Sequence, residues 1–406
     1  MKKIFSLLLF SFVLCSAYAQ KAYLCKDGSY TTVSIEEGMN IDLTAGYDSI
    51  TFSKPQMGND VYVVYNGTTA TVTTPSQLAD AVTCSSGTSS NVVLTNTNTT
   101  DEVSYIVSGS SSAGSLTINA DYKMTVKLNG VSLTSTTGAA IDIQCGKRID
   151  IVMGDGTTNT LADYAGGTQK ACLTTKGHVE LSGAGTLNVS GNCNHAIRSK
   201  EYFQVKKSVG AINILKAAND AIHVGQYFQM NGGTITIDGN TLGDGIQVEY
   251  ETDDNDVVVE DEENTASVII KGGTINITVE GSEDTKGIKA DGDVNISGGT
   301  ITIYANSNGS RGIQLDGNMT VSEDDGTTAI TITAAGKRCT LAEDAADPHR
   351  CMGIKVGDAD LAFGGDLTVN GGTITVYNTG AKSKGIKVIG AYIVNGGTIN
   401  AAVDNE

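Results

Sequence analysis

Asp220 and Asp244 lie 24 residues apart, and each stands two residues before an isoleucine, Ile222 and Ile246. If equal repeat positions stack, two such carboxylates come within reach of one cation. Calcium takes six to eight hard oxygen ligands, and stacked carboxylates with turn carbonyls begin such a set. Other repeats carry His195, Lys286, Arg311, Met352 and Lys384 at this position. One residue after each isoleucine lie Arg198, His223, Gln247, Lys289, Gln314, Lys355 and Lys387. This column is cationic and rich in amides, and it suits a polymer bearing carboxylates or many hydroxyls. Three residues after lie Lys200, Gly225, Glu249, Asp291, Asp316, Gly357 and Ile389. The ligand-binding candidates are therefore His195, Arg198, His223, Gln247, Lys289, Arg311, Gln314, Lys355 and Lys387. The calcium candidates are Asp220, Asp244, Glu249, Asp291 and Asp316.

The elements that must position these columns follow from a repeat. Gly-Gly-Thr recurs at 232, 272, 298, 371 and 396, and the marker isoleucines fall at 197, 222, 246, 288, 313, 354 and 386. The short spacings give a unit of about two dozen residues, and the longer ones add insertions. Within one unit, Ile288, Ala290, Val294, Ile296, Ile301 and Ile303 alternate with Lys289, Asn295 and Thr302. Period-two alternation over short runs predicts three half-buried strands per unit. The fold class expected is all-β, a parallel β-helix with three short strands per coil. At roughly 4.8 Å per coil, about ten coils make a rod roughly 45–50 Å long. The composition agrees, with 49 Gly, only 3 Pro and no Trp.

Met1-Lys2-Lys3, an apolar run from Ile4 to Leu14 and Ser16-Ala17-Tyr18-Ala19 predict a signal peptide over 1–19. The chain is thus expected to be secreted, and no other apolar run is long enough to span a membrane. Residues 20–75 read as a small β-rich leader and linker that caps the first coil, and residues 76–406 as the β-helix. Little sequence follows Gly396-Gly397-Thr398-Ile399, so self-association or a partner is expected to cover the last coil. Cys339 and Cys351 bracket an insertion whose base a disulfide would clip. The net charge of −18 excludes nucleic acid as a partner. Nine acidic residues crowd 249–263, which reads as a solvated loop.

Val126-Lys127-Leu128-Asn129-Gly130-Val131, Gly138-Ala139-Ala140-Ile141, Gly156-Thr157-Thr158-Asn159-Thr160-Leu161-Ala162-Asp163 and Asn194-His195-Ala196-Ile197-Arg198-Ser199-Lys200 carry a resemblance. Over roughly 90–406 the chain resembles the bacterial carbohydrate-binding β-helix family first described in a cellulolytic clostridium. It also looks like pectate lyases of β-helix fold. The resemblance implies a right-handed parallel β-helix, bound calcium and binding of polysaccharide, including acidic cell-wall polymers. The family's D-G-I-type coil appears here as Asp220-Ala221-Ile222 and Asp244-Gly245-Ile246, whereas Lys286, Arg311, Met352 and Lys384 replace Asp later.

The expectation is a non-catalytic polysaccharide binder for acidic, uronate-containing glycans, with calcium as structural or bridging ion. A structural or adhesive surface rod is the alternative. A calcium-dependent lyase is the third reading. A lyase needs a base beside the uronate, and Lys289 with Asp291 is its best pair. Lysine recurs at 355 and 387, however, which suits a column better than one tuned base.

Overall fold

The computed structural model describes residues 21–26, 29–34, 49–51, 58–253, 255–340, 349–359 and 365–404. The expected signal peptide and the body of the insertion after Cys339 lie outside them. The described chain forms two compact units, Met1–Gly58 with Pro75–Gln77, and Asn59–Thr74 with Leu78–Glu406.

The smaller unit is a three-stranded antiparallel sheet. Lys21–Lys26 lies between Ser29–Ser34 and Ser49–Thr51.

The larger unit is all-β and almost wholly parallel. Each strand pairs with the strand one repeat later, and three ladders result. The first runs from Ile149–Met153 to Tyr392–Val394, the second from Thr158–Ala162 to Thr398–Val403. The third runs from Asn91–Asn96 to Lys384–Val388. Met124–Thr134 serves two ladders. Its first half pairs with Ile149–Met153 and its second half with Thr158–Ala162, across a bend at Gly130. Asn159 holds that bend, because its buried Oδ1 accepts the amides of Gly130 (2.9 Å) and Val131 (3.1 Å).

Register keeps like on like. Ile246 faces Ile288, which faces Ile313, then Ile354 and Ile386. The alternation read from the sequence is the burial pattern. Ile288, Ala290, Val294, Ile296, Ile301 and Ile303 are buried, while Lys289, Asn295 and Thr302 face outward. The second glycine of each Gly-Gly-Thr turn has φ between +80° and +94° (Gly233, Gly273, Gly299, Gly372, Gly397). An L side chain is strained there, which is why the turn keeps glycine.

Parallel pairing gives way to antiparallel strands at one end. Thr69–Thr73 folds back on Asp60–Asn66, and Val82–Cys84 on Asn91–Asn96. The Thr-rich stretch before residue 75 thus contributes strand to the larger unit. At the other end, Tyr392, Ile393 and Val394 are exposed. Cys339 and Cys351 are free thiols, so the expected clip is not formed. Cys339 instead bridges through its backbone to His349. The acidic insertion folds back on the ladders. Glu251 reaches Lys200 (3.4 Å) and accepts from Gln226 (2.8 Å).

Ile301→Ala should destabilise the larger unit by about 2–5 kcal/mol, because Ile301 is fully buried and the ladders cannot collapse onto the cavity. Thr302→Ala, one residue away on the outer side, should change stability by less than about 0.5 kcal/mol. Urea unfolding of both variants checks this, and equal losses would contradict the inward–outward assignment.

Candidate functional site

The outward side of the third ladder gathers the predicted residues. Thr117, Asp142, Thr174, Arg198, His223, Gln247, Lys289, Gln314, Lys355 and Lys387 are successive partners in it. Every member of the predicted basic column is therefore stacked as expected. His195, Arg311, Met352 and Lys384 occupy the column three residues earlier, two before each isoleucine.

Asp220 and Asp244 each do backbone work. Asp220 Oδ1 accepts the Asp244 amide (2.8 Å), and Asp244 Oδ1 accepts the Lys286 amide (2.7 Å). Both residues are buried. Burial pushes the Asp244 carboxyl up to about 6, with Lys286 opposing and Asp220 adding to the rise.

The other oxygen of Asp220 faces two imidazoles. His223 Nδ1 lies 3.0 Å from Asp220 Oδ2, and His195 Nδ1 lies 3.2 Å from it. The two rings stack with centroids 4.3 Å apart. His223 Nε2 meets Glu249 Oε1 at 2.9 Å, and Gln247 donates to Glu249 Oε2 at 3.1 Å. With a carboxylate at each nitrogen, His223 is held as the imidazolium. Burial works against its charge, but the bonds to Asp220 and Glu249 outweigh it and raise its pKa to about 8. His195 goes the other way, because burial lowers its pKa more than Asp220 raises it. Burial alone would raise Asp220, yet the two histidines hold it well below the usual carboxylate range.

Glu249, Asp291 and Asp316 follow one another on consecutive rungs, their amides bonding to Val224, Val248 and Ala290. Glu249 is engaged by His223 and Gln247. Asp291 and Asp316 remain on neighbouring rungs, and the charge of Asp316 acts on Asp291. Burial raises the Asp291 carboxyl, Lys289 opposes at 3.8 Å, and the charges of Asp316 and Glu249 add to the rise. Burial raises Asp316 as well, against Lys355 and with Asp358. Both are hard oxygen donors on neighbouring rungs, the kind of group that calcium takes.

Two clefts open along this face. One of about 610 Å³ is lined by Lys170, Lys176, Arg198 and Lys200, with Asp142 as its acidic residue. The second, of about 320 Å³, holds Lys286, Arg311, Arg350, Lys355, Lys384 and Lys387 against Asp284 and Asp358. Both volumes lie in the range of small-ligand sites. Asp284 organises the second cleft, accepting from Lys286 (2.9 Å) and Arg311 (3.0 Å) beside His349 (2.7 Å). Arg311 also donates to Gln314 (2.7 Å), and Lys355 meets Asp358 at 3.3 Å. Asp284 itself has φ of +57°, a strained conformation for aspartate.

Sequence reasoning missed Asp284, His349, Lys170 and Lys176. Asp284 and His349 lie in insertions that interrupt the repeat, and no column passes through them. The only signals were the long spacings of 42 residues before Ile288 and 41 before Ile354.

A family model described as "Carbohydrate-binding domain-containing protein" matches residues 88–402. Among curated proteins no relative matches the chain. The solved structure of the polysaccharide lyase-like protein from C. thermocellum, a gadolinium derivative, is similar with a TM-score of 0.51 and 21% identity. The likeness covers 65% of this chain and 97% of that one. At that identity it bears on the fold alone.

The pKa of His223 in the folded chain, about 8, exceeds its ordinary 6.5. Its stabilising contribution should therefore be complete below about pH 6.5 and be lost as pH rises through about 8, a change of about 2 kcal/mol. In chelator-treated protein, the stability gap between wild type and His223→Gln should shrink by that amount from about pH 6 to about pH 9. Urea unfolding at both values checks this, and a gap independent of pH would contradict the paired imidazolium.

Proposed function

Because the chain belongs to the carbohydrate-binding domain family matched over residues 88–402, we propose that it is a non-catalytic binder of acidic, uronate-containing polysaccharide. The glycan lies along the outward face of the third ladder. One observation carries this reading. Both clefts on that face are basic, with four Lys or Arg against one Asp and six against two, on a chain of net charge −18. A cationic lining kept on an acidic protein suits a polymer bearing carboxylates. From Arg198 to Gln314 the column climbs four rungs, roughly 19 Å, so one extended chain reaches both clefts.

In this reading the three ladders wind as a right-handed parallel β-helix. The strong preference of parallel crossovers for that hand supports it. Calcium belongs at Asp291 and Asp316, where it would relieve the repulsion between the two carboxylates and bridge to a uronate. The protein is exported, as the basic and apolar start of the sequence suggests; among the described residues no helix is long and apolar enough to cross a membrane. Lys289 sits 3.8 Å from Asp291 within a column of similar groups, an arrangement that favours holding a polymer over abstracting a proton.

Affinity electrophoresis in gels containing polygalacturonate tests the proposal. Wild type should be retarded by polygalacturonate and not by a neutral glucan. Replacing Lys355 and Lys387 by Glu should weaken retention at least about tenfold, which is about 1.4 kcal/mol. Chelator should weaken the wild type as well. Equal retention by neutral glucan, unaffected by the charge reversal, would contradict the acidic preference. Retention by neither would favour the adhesive rod, and an ultraviolet-absorbing unsaturated product would favour the lyase.

A further inference from the structure

We propose that His195, Asp220 and His223 form a site for a d-block divalent cation of the zinc type, with Glu249 as the carboxylate that orients His223. The site is separate from the acidic pair to which calcium was assigned. It draws on three side chains from two consecutive rungs of the third ladder.

Donor geometry is the first support. His195 Nδ1 and His223 Nδ1 stand 3.2 and 3.0 Å from Asp220 Oδ2. Ligand atoms from the three residues all lie within 4.8 Å of one another. Zinc holds nitrogen and oxygen ligands at about 2.0–2.1 Å in a tetrahedron, whose edges are then about 3.3–3.4 Å. Two of the required edges are already present to within a few tenths of an ångström. The third edge, between the two histidines, is no longer than 4.8 Å.

A buried nitrogen that lacks an aligned hydrogen bond is the second support. His195 is 6% exposed, and its Nδ1 makes no aligned hydrogen bond. Its distance to Asp220 is short, but the direction is wrong for a donated proton. A buried polar atom left so is uncommon and unfavourable. A metal ion among the three groups gives that nitrogen a partner.

The surrounding shell is the third. Metal-bound imidazoles usually donate their other N–H to a carboxylate, which fixes tautomer and ring orientation. His223 Nε2 does this toward Glu249 at 2.9 Å, and Gln247 steadies Glu249 in turn. Asp220 is fixed too, because its Oδ1 accepts the Asp244 amide and its Oδ2 is left facing the rings. On binding, the ion replaces the proton that His223 Nδ1 directs at Asp220. That proton passes to solvent, and the Nε2–H bond to Glu249 remains. The fourth position is left to water. Two imidazoles and one carboxylate select zinc, cobalt, nickel or copper over calcium, which prefers an all-oxygen shell.

The test uses the full chain, stripped with chelator and titrated with Zn²⁺ and with Co²⁺. One ion per chain is expected, with visible cobalt absorption in the intensity range of a four-coordinate site. His195→Gln should abolish that absorption. Glu249→Gln, a milder change near the surface, should keep it but weaken affinity about 10–100-fold. A millimolar excess of Ca²⁺ should not displace the cobalt. No stoichiometric binding of either metal to wild type would overturn the proposal without reference to any variant. Absorption unchanged in both variants, or ready displacement by calcium, would equally overturn it.

Discussion

Parallel, in-register stacking is the constraint on which the rest depends. Each residue of a ladder sits about one strand spacing from its counterparts in the rungs above and below. Inside, this is favourable without further arrangement. Ile246, Ile288, Ile313, Ile354 and Ile386 meet their own kind and exclude water along the length of the ladder. Outside, the same rule brings like charges together, and each column must answer it. Asp220 and Asp244 do so by accepting a backbone amide from the next rung. Asp293, Asn318 and Asp366 repeat the device at another turn, with oxygens accepting the amides of Asn318, Asp366 and Ala391. Gln247 and Gln314 interrupt the basic column, so that Lys289 is not stacked directly on another cation.

That constraint also explains what could be read from the sequence. Strand alternation has period two, and the repeat fixes which residues share a column. The whole chain of partners from Arg198 to Lys387 was therefore legible before any coordinates. So were the inward residues of each rung. Whatever breaks the repeat was not legible. Asp284 and His349 reach the second cleft from insertions between rungs, where spacing gives no register. Lys170 and Lys176 flank a strand of the third ladder and join Arg198 and Lys200 only through the fold. The turn of His223 from its own column toward Asp220 depends on side-chain rotation, which spacing does not specify.

The motifs that carry the family resemblance mostly hold the fold. Asn159 satisfies two amides at a bend, and Asp163 accepts the Asn192 amide. Ser199 is buried and donates within 3.1 Å of the Gly177 and Tyr202 carbonyls. A family recognised through such residues is recognised by its turns. The outer columns change residue type from rung to rung, and there this chain places its basic clefts. Carbohydrate binding is thus what the family match supports, and the proposed preference for acidic polymer rests on the basic residues of this face.

Lysine footprinting tests that central claim most directly. The protein is acetylated briefly with and without polygalacturonate, and modified lysines are identified by mass spectrometry. The account predicts protection of Lys289, Lys355 and Lys387 on the third ladder. Lys206 and Lys271, which immediately follow strands of the first ladder, should stay reactive. Protection of Lys206 and Lys271 in place of the third-ladder lysines, or of no lysine while the polymer is bound, would contradict it.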